Sequence, residues 1–279
     1  MVNTKHTYED EIGQLATLQQ DRRTAIKFQN QMDNQVQAFA RTKLGYDPFG
    51  PESDRESVRK QAITLLNLID DDASPREILR KFYTLTPASL NQIVSVYRNV
   101  SNTREPWDIF RANIEGQMED VAETLPVYPW VKSVRGFSSL GLAVIVGEVG
   151  DLGLNRRRPA GVWKRLGYGV EADGYRQGRL PPGLSKEDQK DAWVGRGYSP
   201  RRRAEAWAFL DNILLRAQYQ KGIALGPYGN YYLWKKGEYL ERYADEKGGK
   251  GHADKAARRY MSKMFLRDLW REWCRVVPA

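Results

Sequence analysis

Cysteine and histidine, the residues from which disulfides and structural zinc sites are built, are nearly missing from this sequence. Cys274 is the single cysteine of 279 residues, and the two histidines are His6 and His252. One thiol cannot form a disulfide within the chain, and these three side chains do not complete a four-ligand zinc set. The composition therefore predicts a reducing, cytoplasmic environment and no bound metal. Cys274 follows Trp273, which favours packing on a helix face over a nucleophilic role.

Long apolar runs and familiar catalytic signatures are missing too. No stretch approaches the roughly 20 apolar residues that span a bilayer, and residues 3–14 are polar where a signal peptide would be apolar. There is no phosphate-loop lysine motif, dinucleotide-binding glycine fingerprint or paired-histidine metal motif. We therefore predict no membrane partner and no cofactor, and nothing in these patterns supports enzymatic activity.

Positive charge is plentiful, and it is unevenly distributed. The chain has 44 Lys and Arg against 35 Asp and Glu, a formal net charge of +9 and a pI near 9.5. Residues 1–125 are nearly balanced, whereas basic residues cluster at 156–165, 196–203 and 255–271. This balance favours a polyanionic partner such as nucleic acid. An anionic membrane surface and an ordinary solvated face are the competing interpretations.

Helix signals dominate the first 125 residues, and no alternating strand pattern occurs there. Residues 6–44 contain no proline and repeat apolar side chains at helical spacing, which predicts a long amphipathic helix. Its heptad register is interrupted, so a homodimer formed through residues 8–44 stays an open alternative. Residues 46–51 form a turn, and a helix is predicted at 54–70. Three start signals then predict short helices ending near residues 85, 100 and 123: Ser74–Glu77, Thr86–Pro87 and Glu105–Pro106.

The predicted fold class is all-α, with a long N-terminal amphipathic helix, a helical bundle and a C-terminal domain that contains a helix-hairpin-helix. The three predicted regions are residues 1–50, 51–125 and 126–279. Further helices are expected near 200–220 and 253–275. The glycine- and tyrosine-rich stretch 222–251 between them is predicted to be an irregular insertion or a short hairpin.

Residues 131–150 have the outline of a helix-hairpin-helix. The first helix should end near Val134, Gly136 should permit a tight turn, and Phe137 should fill the space beneath a second helix at 140–149. Unsatisfied amides and the helix dipole at the second helix's N-terminus suit phosphate binding. The hairpin contacts predicted from this motif are Lys132, Arg135, Gly136, Ser138, Ser139 and Gly141.

Two segments of the C-terminal half of the chain resemble a known protein family. RGFSSLGLAVIVGEVGDL followed by AGVWKRLGY resembles the hairpin segment of Piv/MooV-type insertion-sequence transposases and invertases, which are bridge-RNA-guided recombinases. The terminal stretch 252–266, rich in alanine and arginine, is similar to the family's last helix. The resemblance covers about residues 125–275 and implies a DNA-binding domain of a mobile-element recombinase.

The sequence also departs from that family. The likeness implies an N-terminal RNase-H-like domain with strand-borne acidic residues, yet residues 1–125 read as helices. It also implies a nucleophilic serine where this chain has Asp173 before Gly174. Ser185 and Ser199 are the remaining weak candidates for a catalytic serine, and each fits a helix cap instead. The sequence therefore predicts that the family's catalytic half is absent.

The favoured hypothesis is a DNA-binding accessory or domesticated protein that grips phosphates and is not self-sufficient in strand exchange. RNA stays open as a partner. Beyond the hairpin, the predicted phosphate contacts are Arg156, Arg157, Arg158, Lys164, Arg165, Arg201, Arg202 and Arg203. One alternative is an active recombinase subunit that needs a partner recombinase chain with the catalytic domain. The other is a helical protein-interaction module.

Overall fold

The structure is a computed structural model that describes residues 4–154, 158–172, 174–246 and 248–277. Within these ranges it is built from helices, and the only extended pairing there is one isolated bridge between Val170 and Arg176. The predicted all-α fold class is thereby confirmed. None of the described helices is long and apolar enough to cross a membrane.

The helices are numbered here in chain order. They are α1 (Thr4–Lys43), α2 (Glu52–Asp70), α3 (Pro75–Lys81), α4 (Pro87–Thr124), α5 (Tyr128–Ser133), α6 (Ser139–Val149), α7 (Ala160–Arg165), α8 (Lys186–Gly195), α9 (Pro200–Ala206), π1 (Trp207–Leu214), α10 (Leu215–Gln218), α11 (Pro227–Arg242) and α12 (Gly249–Val276). The segments α9, π1 and α10 follow one another without a break, so they form one helix with a widened π turn in its middle.

Several predicted helices are confirmed. The long N-terminal helix is α1, and the helices expected at 54–70, 200–220 and 253–275 are α2, α9–π1–α10 and α12. The cap predicted at Ser74 is present, because the Ser74 hydroxyl accepts a hydrogen bond from the Glu77 amide at 3.3 Å. The Ser74 start signal is therefore confirmed, whereas α2 and α12 begin two and four residues before their predicted starts.

Two predictions about helix boundaries are wrong. The start signal at Pro106 does not begin a new helix, because α4 continues through it from Pro87 to Thr124. The stretch 222–251 is not an irregular insertion or a hairpin, because it contains α11. Tyr228 and Tyr232 are buried along α11, so tertiary packing outweighs the weak helix preference of glycine there.

The chain divides into two compact units. One comprises residues 21–114, and the other comprises residues 1–20 together with 115–279. The boundaries predicted from the sequence lie near residues 50 and 125 instead. The unit 21–114 has its own apolar core, made of Ala40, Ala62, Leu65, Ile78, Phe82, Leu85, Leu90 and Ile93.

The larger unit has a core around α12. Phe265 of α12 is fully buried, and its ring packs against those of Trp130, Phe137 and Tyr228 at centroid distances of 5.8, 4.5 and 5.3 Å. Phe137 belongs to the hairpin and Tyr228 to α11. One phenylalanine therefore joins the hairpin, α11 and α12.

Candidate nucleic-acid interface

The hairpin has the local geometry that the sequence predicted. Helix α5 ends at Ser133, Gly136 adopts a left-handed backbone with φ +84°, and α6 begins at Ser139. Ser138 caps α6, since its hydroxyl accepts a hydrogen bond from the Gly141 amide at 3.2 Å. A helix, a glycine turn and a capped second helix thus follow one another within residues 128–149.

The inner side of this corner packs on the rest of the unit. A Cβ placed on Gly136 would overlap the Cβ of Ala217 in α10. The Arg135 guanidinium donates to the Ala224 carbonyl at 2.6 Å, and the Gln218 side chain donates to the Arg135 carbonyl at 2.6 Å. Gly141 is buried under the Phe137 ring. The sequence assigned Arg135, Gly136 and Gly141 to phosphate, whereas here they serve internal packing and hydrogen bonding.

The outer side of the corner remains open. Lys132 and Ser138 are exposed, and Ser139 and Leu140 are partly exposed. Among the described residues no backbone carbonyl accepts a hydrogen bond from the Ser139 or Leu140 amide. The first turn of α6 therefore offers two peptide N–H groups, next to a hydroxyl and near a lysine in sequence.

Three of the predicted basic contacts are tied to acidic or carbonyl groups of the protein. Arg202 lies 3.3 Å from the buried carboxylate of Glu148, and Arg165 donates to the Glu148 carbonyl at 3.1 Å. Arg203 donates to the buried Asp211 at 2.9 Å. Buried carboxylates thus neutralise part of the charge of Arg202 and of Arg203. The spacing of residues in the sequence could not reveal these partners.

Of the other predicted basic residues, some are exposed and some lie outside the described ranges. Arg158, Lys164 and Arg201 are exposed. Arg156 and Arg157 lie outside the described residues, as does Asp173. The predicted basic path along 156–165 is therefore described only in part.

Ser185 and Ser199 both cap helices. The Ser185 hydroxyl accepts from the Asp188 amide at 3.1 Å and donates to the Asp188 carboxylate at 2.7 Å. The Ser199 hydroxyl accepts from the Arg202 amide at 3.3 Å. No histidine or lysine contacts either hydroxyl among the described residues, and the only carboxylate beside Ser185 there, Asp188, belongs to the cap of the same helix.

A basic cavity that the sequence analysis did not predict lies within the larger unit. It has a volume of about 360 Å³ and is lined by residues of α9, π1 and α12 together with Gly167, Arg176, Gly178 and Tyr198. Its charged lining is Arg176, Arg203, Asp211, Lys255, Arg258 and Arg259. Five cations therefore face the same small volume as a single carboxylate.

That carboxylate is already engaged by the protein. Asp211 is 2% exposed and accepts hydrogen bonds from the Tyr168 hydroxyl at 2.8 Å, from Arg203 and from the Ser262 hydroxyl. Burial, together with the negative charge of Asp211, raises the pKa of Tyr168 far above its usual value of 10. Tyr168 therefore stays protonated and donates, and Asp211 has little capacity left for the remaining cations.

A second carboxylate, that of Asp254, binds Arg258. Arg258 donates to Asp254 at 2.7 Å and to the Asp211 carbonyl at 2.8 Å. Burial alone would raise the Asp254 pKa, but hydrogen bonds from Tyr232, Arg258 and Lys236 outweigh burial and hold it well below its usual value of 3.8. Asp254 is consequently ionised at neutral pH and keeps Arg258 in one orientation.

The remaining three cations have no such partner. Arg176, Lys255 and Arg259 form no ion pair with any acidic residue that the structure describes. Burial, and then the positive charges of Arg176 and Arg203, lower the pKa of Arg259. Burial and Arg259 likewise lower the pKa of the neighbouring Lys263. Burial is the larger cause of both shifts, and the neighbouring cations add to it.

The basic residues of this cavity could be recognised in the sequence, but their proximity could not. The cluster 255–271 was noted as basic, and Arg203 was named as a contact, but nothing in the spacing indicated that α9 and α12 meet. Arg176 lies in a loop beside Gly174 and Gly178, where no periodic pattern exists. Only the packing of α12 against π1 brings these residues together.

No family model matches the chain, and no curated protein or solved structure matches it either. The likeness to insertion-sequence transposases consequently stays a prediction from the residues quoted above.

Proposed function

We propose that this chain is a DNA-binding protein that holds the phosphate backbone at the outer side of the α5–α6 corner. It is related, in this proposal, to the C-terminal domain of the insertion-sequence transposases and acts as an accessory or domesticated factor. Contact at a helix N-terminus reads no 2′-hydroxyl and so does not by itself distinguish DNA from RNA. DNA is proposed because of the likeness to insertion-sequence transposases.

One observation carries the proposal: the first turn of α6 presents the Ser139 and Leu140 amides without a backbone acceptor among the described residues. The aligned peptide dipoles of an 11-residue helix add partial positive charge at this end. The Ser138 oxygen accepts from Gly141, which leaves the hydroxyl hydrogen of Ser138 available to donate. A phosphodiester oxygen placed there can accept hydrogen bonds from two amides and one hydroxyl.

Strand exchange is not part of the proposal. Ser185 and Ser199 have their hydroxyl oxygens in helix caps, and the Asp188 carboxylate that accepts from Ser185 belongs to the same first helical turn. A protein with these properties would hold DNA while another chain carries out the chemistry.

The test is a binding titration of the intact protein with two duplexes of unrelated sequence over a range of salt concentrations. If phosphates provide the contacts, the logarithm of affinity should fall by about 0.9 per phosphate contact for each log unit of salt, equally for both duplexes. Lys132→Ala should reduce this slope by about 1 because it removes one exposed cation beside the corner.

Lys60→Ala is the matched control, because Lys60 is an exposed helix lysine of the unit 21–114. It should leave the slope close to that of the wild type. A slope near zero in the wild type, or a slope that Lys60→Ala lowers as much as Lys132→Ala, would overturn the proposal.

A further inference from the structure

The basic cavity between α9–π1 and α12 is built like a receptor for a small anion. Its volume of about 360 Å³ lies in the range of small-ligand sites, roughly 300–1,000 Å³, and is too small to admit a double helix. The cavity uses none of the residues that carry the proposed backbone contact at the α5–α6 corner. Its ligand must therefore be sought separately.

Part of the lining is held rigid before any ligand arrives. Asp211 orients Arg203, whose guanidinium also lies over the Tyr168 ring at 4.0 Å. Asp254 and the Asp211 carbonyl orient Arg258. Planar guanidinium groups fixed in this way match the oxygens of a phosphate, and fixing them in advance lowers the entropy cost of binding.

Another part of the lining is left unsatisfied. Arg259 is partly buried, lies among the like charges of Arg176 and Arg203, and has no acidic partner in the described ranges. One Arg203 nitrogen, Nη1, is buried and makes no hydrogen bond. Groups in this state cost stability unless an anion supplies the missing acceptors. A bound anion would remove this cost.

The number of free cations indicates the charge of the anion. Arg176, Lys255 and Arg259 contribute three positive charges that form no ion pair with a described carboxylate. A phosphodiester carries one negative charge, whereas a phosphomonoester carries about 1.5 to 2 at pH 7 and has three oxygens free to accept. The monoester matches the excess charge better, and such a group occurs on free nucleotides and at strand ends.

Aromatic side chains in the cavity lining indicate that the bound phosphate belongs to a molecule with a flat ring. Tyr198 and Trp207 line the cavity, and Trp207 is 47% exposed. Gly167 and Gly178 lie close to the Tyr198 ring, since a Cβ on either glycine would come within 2.9 or 2.5 Å of a ring atom. An exposed indole at the rim of a cationic cavity provides a flat face on which a nucleobase can stack.

We propose that this cavity binds a nucleotide through its terminal phosphomonoester, with Arg176, Arg258 and Arg259 on the phosphate oxygens and Trp207 against the base. The nucleotide is either free or the 5′-phosphorylated end of a nucleic-acid strand. Both share one chemistry, and the titration below separates them.

The test is calorimetry of the full chain with five probes: adenosine monophosphate, adenosine, inorganic phosphate, and a short single-stranded oligonucleotide with either a 5′-phosphate or a 5′-hydroxyl. Adenosine monophosphate should bind, adenosine should not, and inorganic phosphate should bind more weakly. If the 5′-phosphorylated oligonucleotide competes with adenosine monophosphate and the 5′-hydroxyl form does not, the ligand is a strand end. If only adenosine monophosphate binds, the ligand is a free nucleotide.

Arg259→Gln separates a ligand-binding role from a structural one. It keeps amide donors and removes a charge that the neighbouring arginines repel, so the ligand-free variant should melt at a higher temperature than the wild type. Its affinity for adenosine monophosphate should fall at least tenfold. Arg271→Gln, on the exposed side of the same helix, should change neither affinity nor, by more than a degree or two, the melting temperature.

Trp207→Ala tests the base. It should lower the affinity for adenosine monophosphate about tenfold while leaving the affinity for inorganic phosphate unchanged, because only the nucleotide carries a ring to stack. The inference fails if adenosine monophosphate does not bind, if adenosine binds equally well, or if Arg259→Gln destabilises the protein without changing affinity. None of these results bears on the salt slope of duplex binding at the α5–α6 corner.

Discussion

Gly136 shows how one residue can satisfy a motif and yet serve a different purpose. Its φ of +84° is the left-handed turn that the motif required. Its missing side chain, however, is what lets the hairpin lie directly on Ala217 of α10. The sequence could supply the first requirement, because glycine next to a helix end predicts a positive φ. The second depends on a helix 80 residues away and left no local mark.

We expect Gly136→Ala to lower the free energy of unfolding by about 2–4 kcal/mol, the sum of left-handed strain and overlap with Ala217. Gly197→Ala is the matched control: Gly197 has φ +64°, and a Cβ there meets nothing within 4 Å. It should cost only about 1–2 kcal/mol. Urea unfolding provides both values.

The overlap can be isolated by combining Gly136→Ala with Ala217→Gly. The double variant should recover about 1 kcal/mol or more relative to the sum of the two single changes, because only the pair removes the clash. Strictly additive changes would mean that the corner is not packed on α10.

Arg203 and Arg202 show that the orientation of a charged side chain cannot be read from the sequence alone. Both were named as phosphate contacts from a run of three arginines, and both point at buried carboxylates instead. Charge on a helix can be read from sequence, but the face that turns inward is fixed by partners such as Asp211 and Glu148. The sequence does contain one indication of this pairing. Asp211 lies among the apolar residues of π1, where a buried acid needs a cationic partner.

At the scale of elements, the serine caps marked helix starts correctly, whereas one proline start signal, at Pro106, did not. Ser74, Ser138, Ser185 and Ser199 all cap the helices that follow them. Pro106 carried an equally good start signal, yet α4 passes through it. Buried Ile93 and Ile114 lie in α4 before and after this position. Their burial holds the helix continuous at the cost of one backbone hydrogen bond.

Pro106→Ala should therefore raise the free energy of unfolding by about 1–3 kcal/mol, since it restores the missing amide donor and removes the ring clash. Pro106 is exposed, so no packing is lost. Pro87→Ala is the control within the same helix, because proline at the first helical position replaces no hydrogen bond. It should change stability by less than about 0.5 kcal/mol. A destabilised Pro106→Ala variant would show that the ring itself is needed.

For the whole molecule, composition and periodicity were enough to predict an all-α protein but not its division. Helices α1 and α4 each run from one compact unit into the other, at residues 20–21 and 114–115. An uninterrupted amphipathic pattern gives no sign of such a boundary. The basic cavity escaped prediction for the same reason, since it depends on which helices meet.

The claim that the whole account depends on is that a peptide N–H at the start of α6 donates to a DNA phosphate. Comparing the duplex affinity of Ser139→Pro with that of Ser139→Ala tests it most directly. Ser139 is the first residue of α6 and follows the extended Ser138, so proline fits there and deletes only the amide hydrogen and the hydroxyl. Alanine deletes the hydroxyl alone.

Both variants should keep the wild-type melting temperature to within a few degrees. Ser139→Pro is expected to bind duplex DNA about tenfold more weakly than Ser139→Ala, in keeping with the roughly 1.5–3 kcal/mol of a hydrogen bond to a charged group. Equal affinities of the two folded variants would contradict the account.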